Sequence, residues 1–292
     1  MNEINKLCKG YKKLNKLDDL YNLLEPYYNM EKSKPLLCAT PWKMVHENKK
    51  CDIAILALHG FQGYPGEMIY PGLALYNSNF DVYCPRYPGH GVTKEAFLNT
   101  DANDWINVAR TSLGYLKKEY REVYVIGHSM GGLITSIVAN EFDVKKIALI
   151  SPAFYIKGFS HFKLLTIKIF KNGEITQPWQ TDKSFWGICE RDEGDDEYLG
   201  ENYWSKINAQ QINQLNIIRK KALNAISKSS SETICILGDK DLAIDVEKVN
   251  ELMKHKGNKT ILLKGVNHLC QYFNVKEKRD KCNNSIVNFF LD

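Results

Sequence analysis

The residues best placed to do chemistry are Gly127-His128-Ser129-Met130-Gly131. They follow an apolar, β-branched run, Val123 to Ile126, and precede a helical stretch running from Gly132 to Glu141. Strand, Gly-x-Ser-x-Gly, helix is the setting in which a serine is carried on a sharp turn with its hydroxyl exposed. The glycines let adjacent backbone approach that turn. The amide of Met130 lies at a helix start and can stabilise a developing oxyanion. A hydroxyl is a weak nucleophile at neutral pH, so the chain must also supply a base, and an acid to orient that base.

Both are available further along, in the order Ser, Asp, His. A strand at 232–237 ends in Gly238-Asp239-Lys240-Asp241-Leu242, and a strand at 259–263 ends in Gly265-Val266-Asn267-His268. His268 is the candidate base by position, with His90 as its competitor from a loop at the same sheet edge. His59 reads as a loop brace. His128 is too close to Ser129 along the chain, and His46, His161 and His255 read as structural or solvated. Asp241 is the candidate acid, a short turn past its strand. Asp239 competes as a turn-closer, and Asp245 competes as a cap on the next helix. A second oxyanion donor is expected from His59-Gly60-Phe61-Gln62-Gly63, through the amide of Phe61.

The elements that must position these groups alternate. Strands are expected at 52–58, 80–84, 122–126, 145–150, 232–237 and 259–263, with a further short one near 42–47. Helices are expected at 66–77, 101–120 (capped by Asp101), 129–141, near 245–256 and at 276–291. The near-continuous apolar run at 52–58 is that of a strand covered on both faces, and the alternation predicts an α/β fold with a mostly parallel central sheet flanked by helices. It pauses from 153 to 230. That segment reads as a mainly helical cap inserted between core segments 51–152 and 231–292. Residues 1–50 read as an amphipathic helix and linker. Ile4, Leu7, Tyr11, Leu14, Leu17, Tyr21 and Leu24 share one face of a helix over 3–24, Glu25-Pro26 stops it, and lysines crowd its first half. Weak contact of 3–24 with a membrane surface is one reading, and packing on the domain is the other.

Bulk properties exclude other classes. With 39 basic and 34 acidic residues the formal charge is +5, too balanced to argue for nucleic acid, and no nucleic-acid motif occurs. No dinucleotide or phosphate-loop fingerprint is found, so no cofactor is expected. The eight cysteines are scattered without metal-ligand spacing, so no metal is expected, and most read as small buried apolar residues in a reducing compartment. No run of about 18 apolar residues exists, and a cytoplasmic location is the simplest expectation.

LALHGFQGYPGEM (56–68), PRYPGHG (85–91), Asp104-Trp105, VIGHSMGG (125–132), LGDKDLAID (237–245) and GVNH (265–268) together resemble the α/β-hydrolase superfamily, in its bacterial carboxylesterase and monoacylglycerol lipase branch. The resemblance runs from about residue 50 to the C-terminus. It implies a triad of Ser129, Asp241 and His268, an oxyanion hole of the Phe61 and Met130 amides, and an ester or monoacylglycerol substrate. The first 50 residues are not typical of the compact bacterial members, and 153–230 aligns only loosely with family caps. Phe154, Tyr155, Phe159 and Phe162 are candidates for an acyl-binding wall, or for ordinary cap core. An aminopeptidase on the same scaffold would use the acidic run at 190–201 to hold a substrate amine. A non-catalytic binding protein is the remaining alternative.

Overall fold

The computed structural model describes residues 18–31, 35, 39–46, 51–157, 174–176 and 206–292. Its centre is a seven-stranded sheet in the order β1-β3-β2-β4-β5-β8-β9. The strands are β1 (Trp42–Met44), β2 (Ile53–Leu58), β3 (Asp81–Cys84), β4 (Glu122–His128), β5 (Lys146–Ile150), β8 (Glu232–Gly238) and β9 (Lys259–Leu263). Within this sheet only β1 runs antiparallel to its neighbour. The central strands β2, β4 and β5 are almost wholly buried, as their apolar runs require. In the register Leu58 pairs with Gly127, His128 with Ile150 and Gly238 with Leu263. The loops leaving β2, β4, β8 and β9 therefore share one edge of the sheet, which is where an open parallel sheet builds its sites.

Helices α1 (Asp18–Tyr28), α2 (Ile69–Tyr76), α3 (Lys94–Leu98), α4 (Ala102–Glu119), α5 (Met130–Glu141), α6 (Ala209–Lys228), α7 (Val246–His255) and α8 (Lys276–Leu291) flank it. Asp101 caps α4 in a reciprocal box with Asp104, which accounts for the abrupt start of that helix. Trp105 on α4 is fully buried, and its indole N–H donates to Pro88 O at 3.2 Å and Thr100 Oγ1 at 3.1 Å. A short antiparallel ribbon pairs β6 (Glu174–Thr176) with β7 (Lys206–Asn208). No helix among the described residues is long and apolar enough to cross a membrane.

Three expectations change. The expected cap ran to residue 230, but α6 packs against α5 with Leu215, Ile218, Ala222, Ala225 and Ile226 inside the main core. Each large aliphatic among them contributes about 1.5–3 kcal/mol by burial, so α6 is a core helix. The N-terminal helix does not stop at Pro26 but continues to Tyr28. Its buried stripe is Leu20, Leu24 and Tyr28, and Tyr21 is exposed. The reason is at its far end, where Tyr28 Oη donates to Arg86 O at 2.8 Å and fixes the last turn against the core. Residues 3–17 of the expected amphipathic face lie outside the described residues.

Candidate active site

Ser129 joins β4 to α5 with φ 53° and ψ −113°, a backbone conformation that side-chain-bearing residues rarely adopt. Its N–H donates to Ile150 O at 2.9 Å, and its carbonyl accepts from Gly132 at 3.1 Å and Ala153 at 3.3 Å, so both sides of the turn are tied down. A Cβ on Gly127 would collide with the Gly131 backbone, and one on Gly131 with the Leu58 and His59 carbonyls. The Gly-x-Ser-x-Gly spacing is thus imposed by backbone packed against backbone. Met130 is the first residue of α5, among the N–H groups that no earlier helical turn can accept.

His268 follows β9, and its Nδ1 lies 2.7 Å from Asp241 Oδ2. Asp241 Oδ1 accepts the Ala243 and Ile244 N–H groups at 2.8 and 3.1 Å. Asp241 is buried, which by itself would raise its pKa. The His268 ring, in charge and hydrogen bond, together with those two amides outweighs burial and holds the carboxyl below its ordinary range. With Nδ1–H committed to Asp241, Nε2 of His268 is left to take a proton. The competing aspartates have other tasks. Asp239 accepts the Gly265 N–H at 2.6 Å, and Asp245 caps α7 by accepting the Lys248 N–H. Bonds from Asp239 N to Leu263 O and from Lys240 N to Val266 O tie the two loops together.

The loop after β2 lies against the elbow: a Cβ built on Gly60 would stand 3.4 Å from Ser129 Cβ. The next amide is that of Phe61, whose ring packs edge-on to His90, Phe97 and Trp105. His90 is enclosed by those rings and Tyr87, and its Nδ1–H donates to Pro88 O at 3.2 Å. Its Nε2 is buried without a hydrogen-bond partner among the described residues. Burial pushes its pKa down to about 3, so it stays neutral and is too weakly basic to deprotonate a serine near pH 7. His59 braces the loop as expected. Its Nε2 accepts the Tyr87 N–H at 3.1 Å and its Nδ1–H donates to Gly60 O at 3.0 Å.

Of the suggested acyl-wall residues, Phe154 is fully buried in the core and Tyr155 is half-buried against it. Phe154 therefore belongs to the core that supports the site. Phe159, Phe162, the acidic run at 190–201 and His161 lie outside the described residues. Sequence reasoning missed two clusters. Glu67, one helical turn into the segment after the Gly60 loop, is buried against His128. His46 Nδ1, Cys51 Sγ and a carboxylate oxygen of Asp81 lie within 4.8 Å of one another. Those donors already bond mutually: Asp81 also accepts the His46 and Cys51 N–H groups and the Tyr120 hydroxyl. This second cluster works as a clamp on the β1–β2 connection. Neither had a spacing signal, because the carboxylate of each comes from far along the chain: Glu67 lies 61 residues from His128, and Asp81 lies 35 residues from His46 and 30 from Cys51.

A profile of the family described as serine aminopeptidase, S33, matches residues 49–270. A carboxylesterase of Bacillus subtilis (strain 168) is 31% identical over 108 residues, covering 37% of this chain and 44% of that protein. A thermostable monoacylglycerol lipase of Bacillus sp. (strain H-257) is 33% identical over 87 residues, 30% of this chain and 35% of that one. The matched stretch thus spans less than half the length of either relative. Among solved structures, one described for LipS and LipT, two metagenome-derived lipolytic enzymes, superposes with a TM-score of 0.71 at 20% identity. It covers 89% of this chain and all of that one, a likeness that establishes the α/β-hydrolase fold.

Proposed function

This chain belongs to the serine aminopeptidase S33 family, and we propose that it is a serine hydrolase that cleaves carboxylic esters, monoacylglycerols among them, through an acyl-enzyme on Ser129. The observation that carries the reading is the 2.7 Å bond from His268 to a buried Asp241, at the sheet edge that also carries the strained Ser129 turn. In the first step Ser129 Oγ attacks the ester carbonyl carbon as Nε2 of His268 takes the hydroxyl proton. The carbonyl oxygen becomes an oxyanion held by the Phe61 and Met130 amides. The C–O bond to the alcohol then breaks, and His268 returns its proton to the leaving alkoxide. Water, deprotonated by the same nitrogen, attacks the acyl-enzyme and releases the carboxylic acid with Ser129 restored. Asp241 stays ionised throughout and keeps His268 in the tautomer the cycle needs.

An ester rather than an amide substrate is supported by the relatives named carboxylesterase and monoacylglycerol lipase. In this reading Tyr155, half-buried after β5, contributes to selection of the acyl group. The test is labelling with a fluorophosphonate, followed by p-nitrophenyl esters of increasing chain length, monoacylglycerols and aminoacyl amides side by side. Labelling of Ser129 and turnover of esters is expected, both lost in Ser129→Ala. Turnover in the folded Ser129→Ala protein, or turnover of amides alone, would overturn the reading.

A further inference from the structure

Directly behind the elbow lies a second buried carboxylate–imidazole pair that the reaction above leaves unused. Glu67 is fully buried and His128 is 2% exposed. Glu67 sits in the 3₁₀ turn Pro65–Met68, which is pinned by its own N–H to Tyr64 O at 3.1 Å and by the Trp42 indole N–H to Pro65 O at 2.8 Å. Its Oε1 is 2.8 Å from His128 Nδ1 and also accepts the Gly60 N–H. On its other side His128 places Nε2 3.1 Å from the carbonyl oxygen of His268, and the two imidazole rings are 4.9 Å apart.

The protonation pattern follows from which atoms can donate. A carbonyl oxygen only accepts, so Nε2 of His128 carries a hydrogen. A bond between Nδ1 and Oε1 needs one more proton between them, on nitrogen or on oxygen. In either case the pair is net neutral. That matters because Glu67 Oε1 contacts the amide one residue before Phe61, and a bare carboxylate there would oppose the oxyanion formed in the reaction.

We propose that Glu67 and His128 act as one positioning unit. A single buried carboxylate sets the oxyanion loop through Gly60 and, through His128, the main chain that carries the base His268. The unit binds no substrate; it fixes the distance between the two halves of the machinery, which catalysis senses steeply. The inference rests on Ser129 and His268 being nucleophile and base.

Glu67→Gln separates the two links. The glutamine oxygen can still accept from Gly60, but no proton is then supplied between residue 67 and Nδ1 of a His128 that still donates to His268. The experiment measures kcat and KM on a p-nitrophenyl ester for wild type, Glu67→Gln, His128→Gln and the double variant. Rates are normalised to the sites titrated by a fluorophosphonate, so that only folded enzyme is counted. Each single variant is expected to lose roughly tenfold to a hundredfold in kcat per titrated site with KM unchanged. The double variant should be no worse than the poorer single one, because both break the same unit. Wild-type kcat per titrated site in either variant, or losses that multiply in the double, overturns the positioning unit. A variant that yields no folded protein leaves the other single variant to decide. Wild-type protein that does not label at Ser129 overturns the hydrolase reading instead, a separate outcome.

Discussion

Arg86 and Glu31 meet in a bidentate pair, 2.6 Å on each arm, with both side chains almost sealed from solvent. Glu31 also accepts the Gly89 N–H at 2.7 Å, and Arg86 also donates to His90 O at 3.1 Å and stacks over the Tyr28 ring. The segment after α1 is thereby built into the Pro85–Gly91 loop, whose His90 packs on Phe61. The N-terminal residues that are untypical of compact relatives thus support the loop beside the elbow.

Breaking that pair from one side leaves a buried charge without its counter-ion. Glu31→Ala or Arg86→Ala is expected to destabilise the fold by about 3–5 kcal/mol. The double replacement with apolar residues should cost clearly less than the sum of the two. Urea unfolding of the four proteins measures this, and simple additivity would show that the residues act separately.

Replacing Asp241 by Asn tests the orienting bond to His268. The amide cannot hold the Nδ1–H tautomer, and kcat is expected to fall roughly ten-thousandfold, as in serine triads generally. Stability adds a second readout. The folded Asp241 pKa is depressed, so its stabilising contribution is fully present above the ordinary carboxyl value of about 3.9 and is lost as pH falls through the folded value. The stability gap between wild type and Asp241→Asn should therefore be constant above about pH 5 and close below about pH 4. A gap that widens with acid would contradict the depressed pKa.

His90 should govern acid stability rather than the pH dependence of turnover. Burial holds it neutral down to about pH 3, while in the unfolded chain it charges near pH 6.5. The unfolded state then binds the extra proton, and stability falls between those values by about 1.4 kcal/mol per pH unit. His90→Phe is expected to remove that slope, measured by unfolding at a series of pH values. The low-pH limb of kcat/KM should stay where it is in wild type; a limb that disappeared would make His90 a participant in the chemistry.

Gly131→Ala tests the elbow's packing. The new methyl meets the Leu58 and His59 carbonyl oxygens, main-chain atoms that no rotamer change can move aside. A loss of stability of at least about 1–3 kcal/mol is expected, together with loss of fluorophosphonate labelling as the serine turn shifts. Labelling at the wild-type rate would show that the turn tolerates a wider separation.

The strands and helices were legible because their signals are local. β9 and α8 fall at the expected residues, and Asp101 caps its helix as expected. Helix α6 was misassigned to the cap because its pattern of alternating polar and apolar residues suits either setting, and only its partner, α5, decides between them. The short helix Lys94–Leu98 was missed, five residues being too few for a periodic signal.

What the sequence determined by itself is the order and kind of the elements and the serine, aspartate and histidine loops that follow them. Apolar period, capping residues and glycine spacing act over a few residues and can be read along the chain. Tertiary structure alone decided which aspartate faces His268, why His90 cannot serve as a base, and that Glu67 reaches His128 61 residues away. Those outcomes depend on burial and on hydrogen bonds between groups far apart in sequence, and both exist only once the sheet has set its register.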